Sequence, residues 1–239
     1  MRVFADEKRI ARRRRIGEIA PLIGLVILLG SVVMVFTKPE WIWASMAVVW
    51  AGFIVSLVGS YLGERYVGPN AHYRRVLEAL KGLDRTYALL MYRLPAPFVV
   101  IEPGGVTVLT VKPQGGEITY SEGRWRHRQS LGILRRLAGQ ETIGHPERVA
   151  VAERQAVEET LLKALPEGVR VPVRAVIVFI HPEAHLTIED ASLEVPAVRA
   201  RDLKRWFRRN PLRPRLSDEA WEALQSALGL AEVEETATD

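Results

Sequence analysis

The sequence predicts a mixed α/β domain, a central sheet flanked by helices, carried behind a two-helix membrane hairpin. Three observations predict it. Residues 19–37 and 41–63 contain no charged side chain. Residues Val99 to Lys112, VVIEPGGVTVLTVK, read as two strands about a tight turn, with β-branched residues on each side of Pro103-Gly104-Gly105. Beyond residue 68 the apolar pattern switches repeatedly between the periods of helix and strand, and that order suits a mixed sheet with helices on its faces.

The chain has 239 residues, enough for one domain of ordinary size and an anchor. It has no cysteine, which excludes disulfides and thiolate chemistry and fits a reducing compartment. The formal charge is +5, which suggests nucleic acid until its distribution is read. Residues 1–18 hold seven bases against three acids, a net of +4, and Lys38 cancels Glu40. The remainder is therefore nearly neutral. It has no overall field to gather phosphates, so any nucleic-acid contact needs a local patch.

The two uncharged stretches come first. At 1.5 Å per residue each reaches about the 30 Å of a hydrocarbon core. The link Lys38-Pro39-Glu40 is so short that the two must form an antiparallel hairpin, assigned to 19–63. A cleaved signal peptide fits poorly, because a second long span follows at once. The other competing reading is a buried hairpin of a soluble protein. The basic residues of segment 1–18, and Arg65, Arg74 and Arg75 after the second span, place both termini in the cytoplasm of a two-span protein of the cell membrane. Trp41 and Trp43 are expected at the outer interface, Tyr61 and Tyr66 at the inner one. Gly24, Gly30, Gly52 and Gly59 would let the helices approach. No ionisable side chain lies within either span, which argues against an ion path. The expected partner of this part is the lipid bilayer, with Arg12 to Arg15 able to meet anionic heads.

The domain elements follow in order. Gly68-Pro69-Asn70 is a turn, and Tyr73, Val76, Leu77 and Leu80 mark an amphipathic helix closed by Lys81-Gly82. Tyr87 to Tyr92 is a buried strand, and Val99 to Lys112 the strand pair. Ile118 to Tyr120 and Trp125 to Arg128 make a hairpin about Ser121-Glu122-Gly123. Residues 147–165 are a helix stopped by Pro166-Glu167-Gly168. Val173 to Ile180 is so continuously apolar that it must be covered on both faces. Short strands are expected near Leu186 to Ile188 and Glu194 to Val198. The last helices span Arg201 to Arg209 and Ser217 to Leu228, the latter capped by Ser217 within a C-terminal segment 210–230. Residues 231–239 read as an acidic, disordered tail.

This order, with YALLMY, FVVIEPGGVTVLTVK, a Gly-Gly turn, a tryptophan-bearing strand and a helix containing Gln155-Ala156, resembles the nuclease-related domain (NERD) family over residues 68–209. The resemblance implies a restriction-endonuclease-like fold. In that family two carboxylates hold a divalent metal that activates water, and a lysine steadies the charge building on the phosphate. Carried onto this sequence, Lys112 matches the lysine and Gln155 the helix glutamine. The two acid positions fall at Pro97 and Thr110, and a further family glutamate falls at or beside His72. A proline cannot ligand a metal through its side chain, and a threonine hydroxyl is a weak substitute for a carboxylate. The expectation is a nuclease-like domain without ordinary nuclease activity and without a cofactor, a pseudoenzyme. The alternative is an Mg²⁺-dependent nuclease with a relocated acid. Glu153 is the best such acid, ahead of Glu102 and Glu117; the plainer reading makes all three solvated surface residues. For Lys112 the plainer reading is a strand exit into solvent, and for Gln155 an exposed helix glutamine.

Other features carry less. The five histidines are His72, His127, His145, His181 and His185; Pro182 prevents a regular helix through the pair at 181 and 185, so a zinc site is not expected. No P-loop, dinucleotide fingerprint or serine elbow is present. Trp125, Arg126 and Arg128 could stack on and hold a nucleic acid, or form a surface strand whose tryptophan covers core. Arg199 to Arg215, including Arg201, Lys204, Arg205, Arg208 and Arg209, has a net charge of +7, and residues 217–239 a net of −7. The first is a phosphate or lipid-head patch, or else the two windows neutralise each other. Three functions remain: an inactive nuclease-like scaffold, with or without a nucleic-acid partner, a nuclease with a relocated acid, or a membrane-bound module for a protein partner.

Overall fold

The structure, a computed structural model, describes residues 1–68, 71–128, 143–190 and 193–230. They fall into two compact units. One comprises Met1–Asp6 and the chain beyond Val76, and the other Glu7–Arg75. The expected turn at Pro69-Asn70 and the acidic tail lie outside the described residues.

The smaller unit is built on two long helices, α1 (Glu7–Thr37) and α2 (Ile42–Tyr66), joined by a single 3₁₀ turn, Pro39–Trp41. Both are long and apolar enough to cross a bilayer, yet within their most apolar windows only 11% and 17% of residues are buried. What they bury is small. The inward positions are Gly17, Gly24 and Ser31 on α1, and Ser45, Gly52, Gly59 and Tyr66 on α2. Each set recurs every seven residues, the period that keeps one seam of a helix facing its partner.

A methyl group on Gly24 would stand 2.8 Å from the Gly52 carbonyl oxygen, so the backbones touch. Gly59 leaves room for the ring of Pro21. Gly24, Gly52 and Gly59 thus act as expected, and Gly17 joins them against Gly63. Gly30 does not: nothing lies within 4 Å of its added Cβ, because it sits off the seven-residue seam. The buried hydroxyls of Ser31 and Ser45 donate to their own helices, at Leu28 O (2.6 Å) and Trp41 O (3.1 Å). That satisfies them without a partner across the seam.

The larger unit carries a six-stranded mixed sheet in the order β1-β2-β3-β4-β7-β9 and a three-stranded one in the order β6-β5-β8. The strands are β1 (Arg2–Ala5), β2 (Ala88–Met91), β3 (Phe98–Glu102), β4 (Gly105–Lys112), β5 (Gly116–Ser121), β6 (Arg124–Arg128), β7 (Val173–Phe179), β8 (Ala184–Ile188) and β9 (Ala197–Arg199). The helices are α3 (His72–Leu80), which runs from one unit into the other, α4 (Pro146–Ala164), α5 (Ala200–Arg209) and α6 (Asp218–Ala227). β2, β3 and β4 are antiparallel neighbours, and β7 joins β4 in parallel after the α4 crossover. Every element expected after residue 70 is present, within a few residues at its ends.

Two boundaries change. Segment 1–18 is not simply a basic tail: Arg2–Ala5 form an edge strand pairing in parallel with Ala88–Met91, and α1 starts at Glu7. The Met1 ammonium donates to Leu83 O at 3.0 Å. Segment 210–230 is helical only over Asp218–Ala227. Ser217 caps that helix as expected, its hydroxyl accepting from Ala220 N at 3.2 Å.

Strand alternation sorts the core into two layers. Val99, Val106, Val108, Ala175 and Ile177 share one face of the large sheet with Ala150, Val157 and Leu161 of α4 and Leu224 of α6 in a single buried cluster. Leu89, Val100, Leu109, Val176 and Val178 point the other way and are fully buried, on the side of Leu203 and Phe207 of α5.

Candidate functional site

The β3–β4 ladder runs from Val99↔Val108 to Glu102↔Gly105, and Pro97 and Thr110 each stand two residues beyond its Val99↔Val108 end. The two positions where the resemblance implies acids therefore lie beyond the same end of this strand pair. Thr110 is buried, on the same face as α4, and its hydroxyl donates to Glu153 Oε2 at 2.6 Å. Lys112 follows two residues later on the same face, half-buried, with its carbonyl accepting from Ile180 N at 2.9 Å. Thr110, Lys112 and Glu153 thus share one end of β4 under α4. Glu153 is half-buried and directed at the sheet, not a solvated acid.

Gln155 is not brought to this place. It is exposed, and two residues along a helix turn it about 200° away from Glu153. His72 is buried at the start of α3. Glu117 is exposed on β5, in the small sheet.

Glu102 overturns its surface reading most fully. It is completely buried. One carboxylate oxygen accepts from the Thr107 hydroxyl and, at 2.8 Å, from an Arg174 guanidinium N–H. The other accepts from Leu212 N at 3.1 Å. Arg174 also donates to Thr107 Oγ1 at 2.8 Å and lies 4.5 Å from the centre of the Trp206 ring. One acid thus ties together β3, β4, β7 and the segment after α5. It lies at the opposite end of β4 from Lys112 and cannot serve there. Its role depends on the turn beside it: a side chain on Gly104 would collide with the Leu212 carbonyl, and one on Gly105 (φ 145°) with the Pro172 carbonyl. Arg174 was the signal missed in the sequence, since an arginine inside VRAVIVFI requires a buried counterion.

Trp125 takes the core-covering reading. Its ring packs 5.1 Å from Tyr120 and 5.6 Å from Phe179, so it is not offered for stacking. Arg124, Arg126 and Arg128 alternate outward along β6 and are exposed, with Arg126 paired to Glu122 at 3.2 Å. In the second basic window the charges are met from inside. Asp202 takes Arg199 at 2.7 Å, with Arg201 and Arg205 within 3.9 and 3.8 Å. Arg208 donates to Gly82 O at 3.4 Å, and Lys204 also reaches Gly82, where cations favourably meet the C-terminal end of α3. Among the described residues these pairs run within the window rather than to Asp218, Glu219 or Glu222, which revises the expectation that the two windows neutralise each other. Arg209 is exposed.

Among the described residues no three or more His, Cys, Asp or Glu side chains converge as a metal set. His127 instead contacts Gly115 O at 2.7 Å, and His181 Nδ1 accepts from Glu183 N at 3.2 Å. Compared with known proteins, the chain matches no family model, no curated protein and no solved structure.

Proposed function

We propose that this chain is a membrane-anchored protein whose α/β domain is a degenerate, nuclease-like binding module of the cytoplasm, catalytically inactive. The anchoring rests on the burial pattern of α1 and α2: large apolar side chains such as Leu22, Val26, Phe36 and Trp50 are exposed while glycines and serines are buried, an arrangement stable only in an apolar solvent. The pairing of β1 with β2 supports one further point. It returns the chain on both sides of the hairpin to one sheet, so both ends of the hairpin lie on one side of the membrane. The basic residues flanking those ends make that side the cytoplasm of a cell membrane.

The observation that carries the inactive reading is the Pro97, Thr110 and Glu153 arrangement. It offers one carboxylate where the family chemistry uses two, and that carboxylate is engaged by a threonine hydroxyl. One observation favours the second reading: the same hydrogen bond brings Glu153, the relocated acid, beside Lys112's end of β4. One carboxylate with substrate phosphate can hold Mg²⁺ weakly. The scaffold's partner is then a nucleic acid or a protein.

Calorimetry of the full chain in nanodiscs, titrated with Mg²⁺ and Mn²⁺, separates the two. The whole chain is needed, because a fragment beginning after the hairpin lacks β1 and bares the edge of β2. No heat of binding at millimolar metal is the expected result. Binding that vanishes in Glu153→Gln, with divalent-dependent cleavage of DNA, makes the protein a nuclease instead. A salt-dependent affinity for DNA without cleavage identifies nucleic acid as the partner.

A further inference from the structure

The four consecutive arginines at the start of α1 have different surroundings. Arg13 donates to the Tyr66 hydroxyl at 2.7 Å and lies 5.6 Å from the centre of that ring. Tyr66 is thereby buried rather than placed at an interface. Arg14 donates to Glu18 at 2.8 Å. Arg12 and Arg15 are exposed and have no partner among the described residues. These two line a groove of about 540 Å³ together with Ile16, Ile19 and Ile23 of α1 and Val55 of α2.

Positions 12, 16, 19 and 23 follow one another at four, three and four residues, a single face of the helix. From Arg12 to Ile23 the axis advances about 16 Å. That is about half of a 30 Å hydrocarbon core, the depth of one leaflet. The groove therefore has two uncompensated cations at one end and an apolar trough one leaflet deep below them.

We propose that this groove binds one anionic glycerophospholipid, its phosphate held between Arg12 and Arg15 and one acyl chain laid along Ile16, Ile19, Ile23 and Val55. The inference rests on the membrane anchoring proposed above. Charge complementarity selects the occupant: two guanidinium groups without a protein counterion favour a lipid of net negative charge over a zwitterionic one. The neighbouring arginines differ because Tyr66 and Glu18 already occupy them.

The test uses the full chain in vesicles of phosphatidylcholine with spin-labelled phosphatidylglycerol or spin-labelled phosphatidylcholine. The readout is the motionally restricted fraction of each label. Wild-type protein is expected to prefer phosphatidylglycerol. Arg12→Gln and Arg15→Gln should each lower that preference about fivefold, from roughly 1 kcal/mol per arginine near the surface. Arg14→Gln, which removes the same charge, should leave it unchanged, and Ile19→Trp, which fills the trough, should lower it.

Equal losses in all three arginine variants would overturn the site and leave only a diffuse positive flank. So would a preference that none of the four variants alters. An Ile19→Trp protein that changes from dimer to monomer with unchanged lipid preference assigns the groove to a second copy of the chain. Flotation with pure phosphatidylcholine vesicles separates the two levels: failure to float overturns the anchoring itself, whereas flotation without lipid preference overturns only the lipid site.

Discussion

The hairpin turns Gly17, Gly24 and Ser31 toward Ser45, Gly52 and Gly59 and leaves Leu22, Val26, Phe36 and Trp43 outside. The α/β unit does the reverse, enclosing Leu109, Ile177, Phe179 and Phe207 and exposing Arg124, Arg126 and Arg128. With the hairpin in the membrane, as proposed, the same physics gives both patterns in two different solvents. In water, burying large apolar side chains is the main driving force. In hydrocarbon that force is absent, and close backbone packing between small residues replaces it.

Their buried polar groups differ in the same way. The hairpin's Ser31 and Ser45 hydroxyls are satisfied within their own helices. The domain instead pairs the fully buried Glu102 with the part-buried Arg174, linking strands distant in sequence.

The largest expected effect tests the domain's side of this contrast. Glu102→Ala leaves the part-buried Arg174 guanidinium and the Thr107 and Leu212 donors without their acceptor, and the domain should lose about 3 kcal/mol of stability. Urea unfolding followed by tryptophan fluorescence measures this, since Trp206 lies over Arg174. The double variant Glu102→Leu/Arg174→Met should recover most of the loss. A single-variant loss below about 1 kcal/mol would mean that the pair behaves like an exposed one.

The hairpin's side is tested by position. Gly24→Ala should separate the helices, because the new methyl meets backbone atoms of α2, at a cost of about 1–3 kcal/mol. Gly30→Ala, facing open space, should cost nothing. In this cysteine-free chain the readout is disulfide formation between Ser31→Cys and Ser45→Cys, which continue the Gly24–Gly52 pairing along the seam. Equal crosslinking rates in the two alanine variants would show that the seam is not closely packed.

The smallest effect concerns acid stability. Asp84 accepts from Thr86 N at 3.0 Å, and this hydrogen bond holds its carboxyl below the usual aspartate range. A folded-state pKa lower than the unfolded one contributes stability that is complete above the unfolded value, about 3.8, and is lost as pH falls through the folded value. Asp84→Asn should therefore flatten the acid limb of the stability curve slightly, lowering stability by the same small amount throughout pH 7 to pH 9 and leaving it unchanged below the folded-state pKa. An unaltered acid limb would show that the turn at Asp84 persists in the unfolded chain.

Much of this was legible in residue order. Local patterns marked both long helices, the VVIEPGGVTVLTVK hairpin, the central strand from Val173 and the Ser217 cap, because each depends on neighbours a few positions away. β1 escaped notice because RVFA is four residues long and its partner lies more than 80 positions distant. Glu102 was misread because its turn position suggested solvent, while the groups that enclose it, Arg174 and Leu212, come from β7 and from beyond α5. Gly30 looked equivalent to Gly24 by composition, and only the helix–helix seam distinguishes them.

The sequence by itself determined which stretches are apolar, how long they are and whether their apolar residues recur with the period of strand or of helix. Length, charge and backbone preference act locally, so they can be read along the chain. Tertiary structure decided which acid is buried, which glycines touch, and which two of four adjacent arginines have no partner among the described residues. Those outcomes depend on residues brought together from distant parts of the chain, and the energy of a charge or a methyl group is set by what surrounds it after folding.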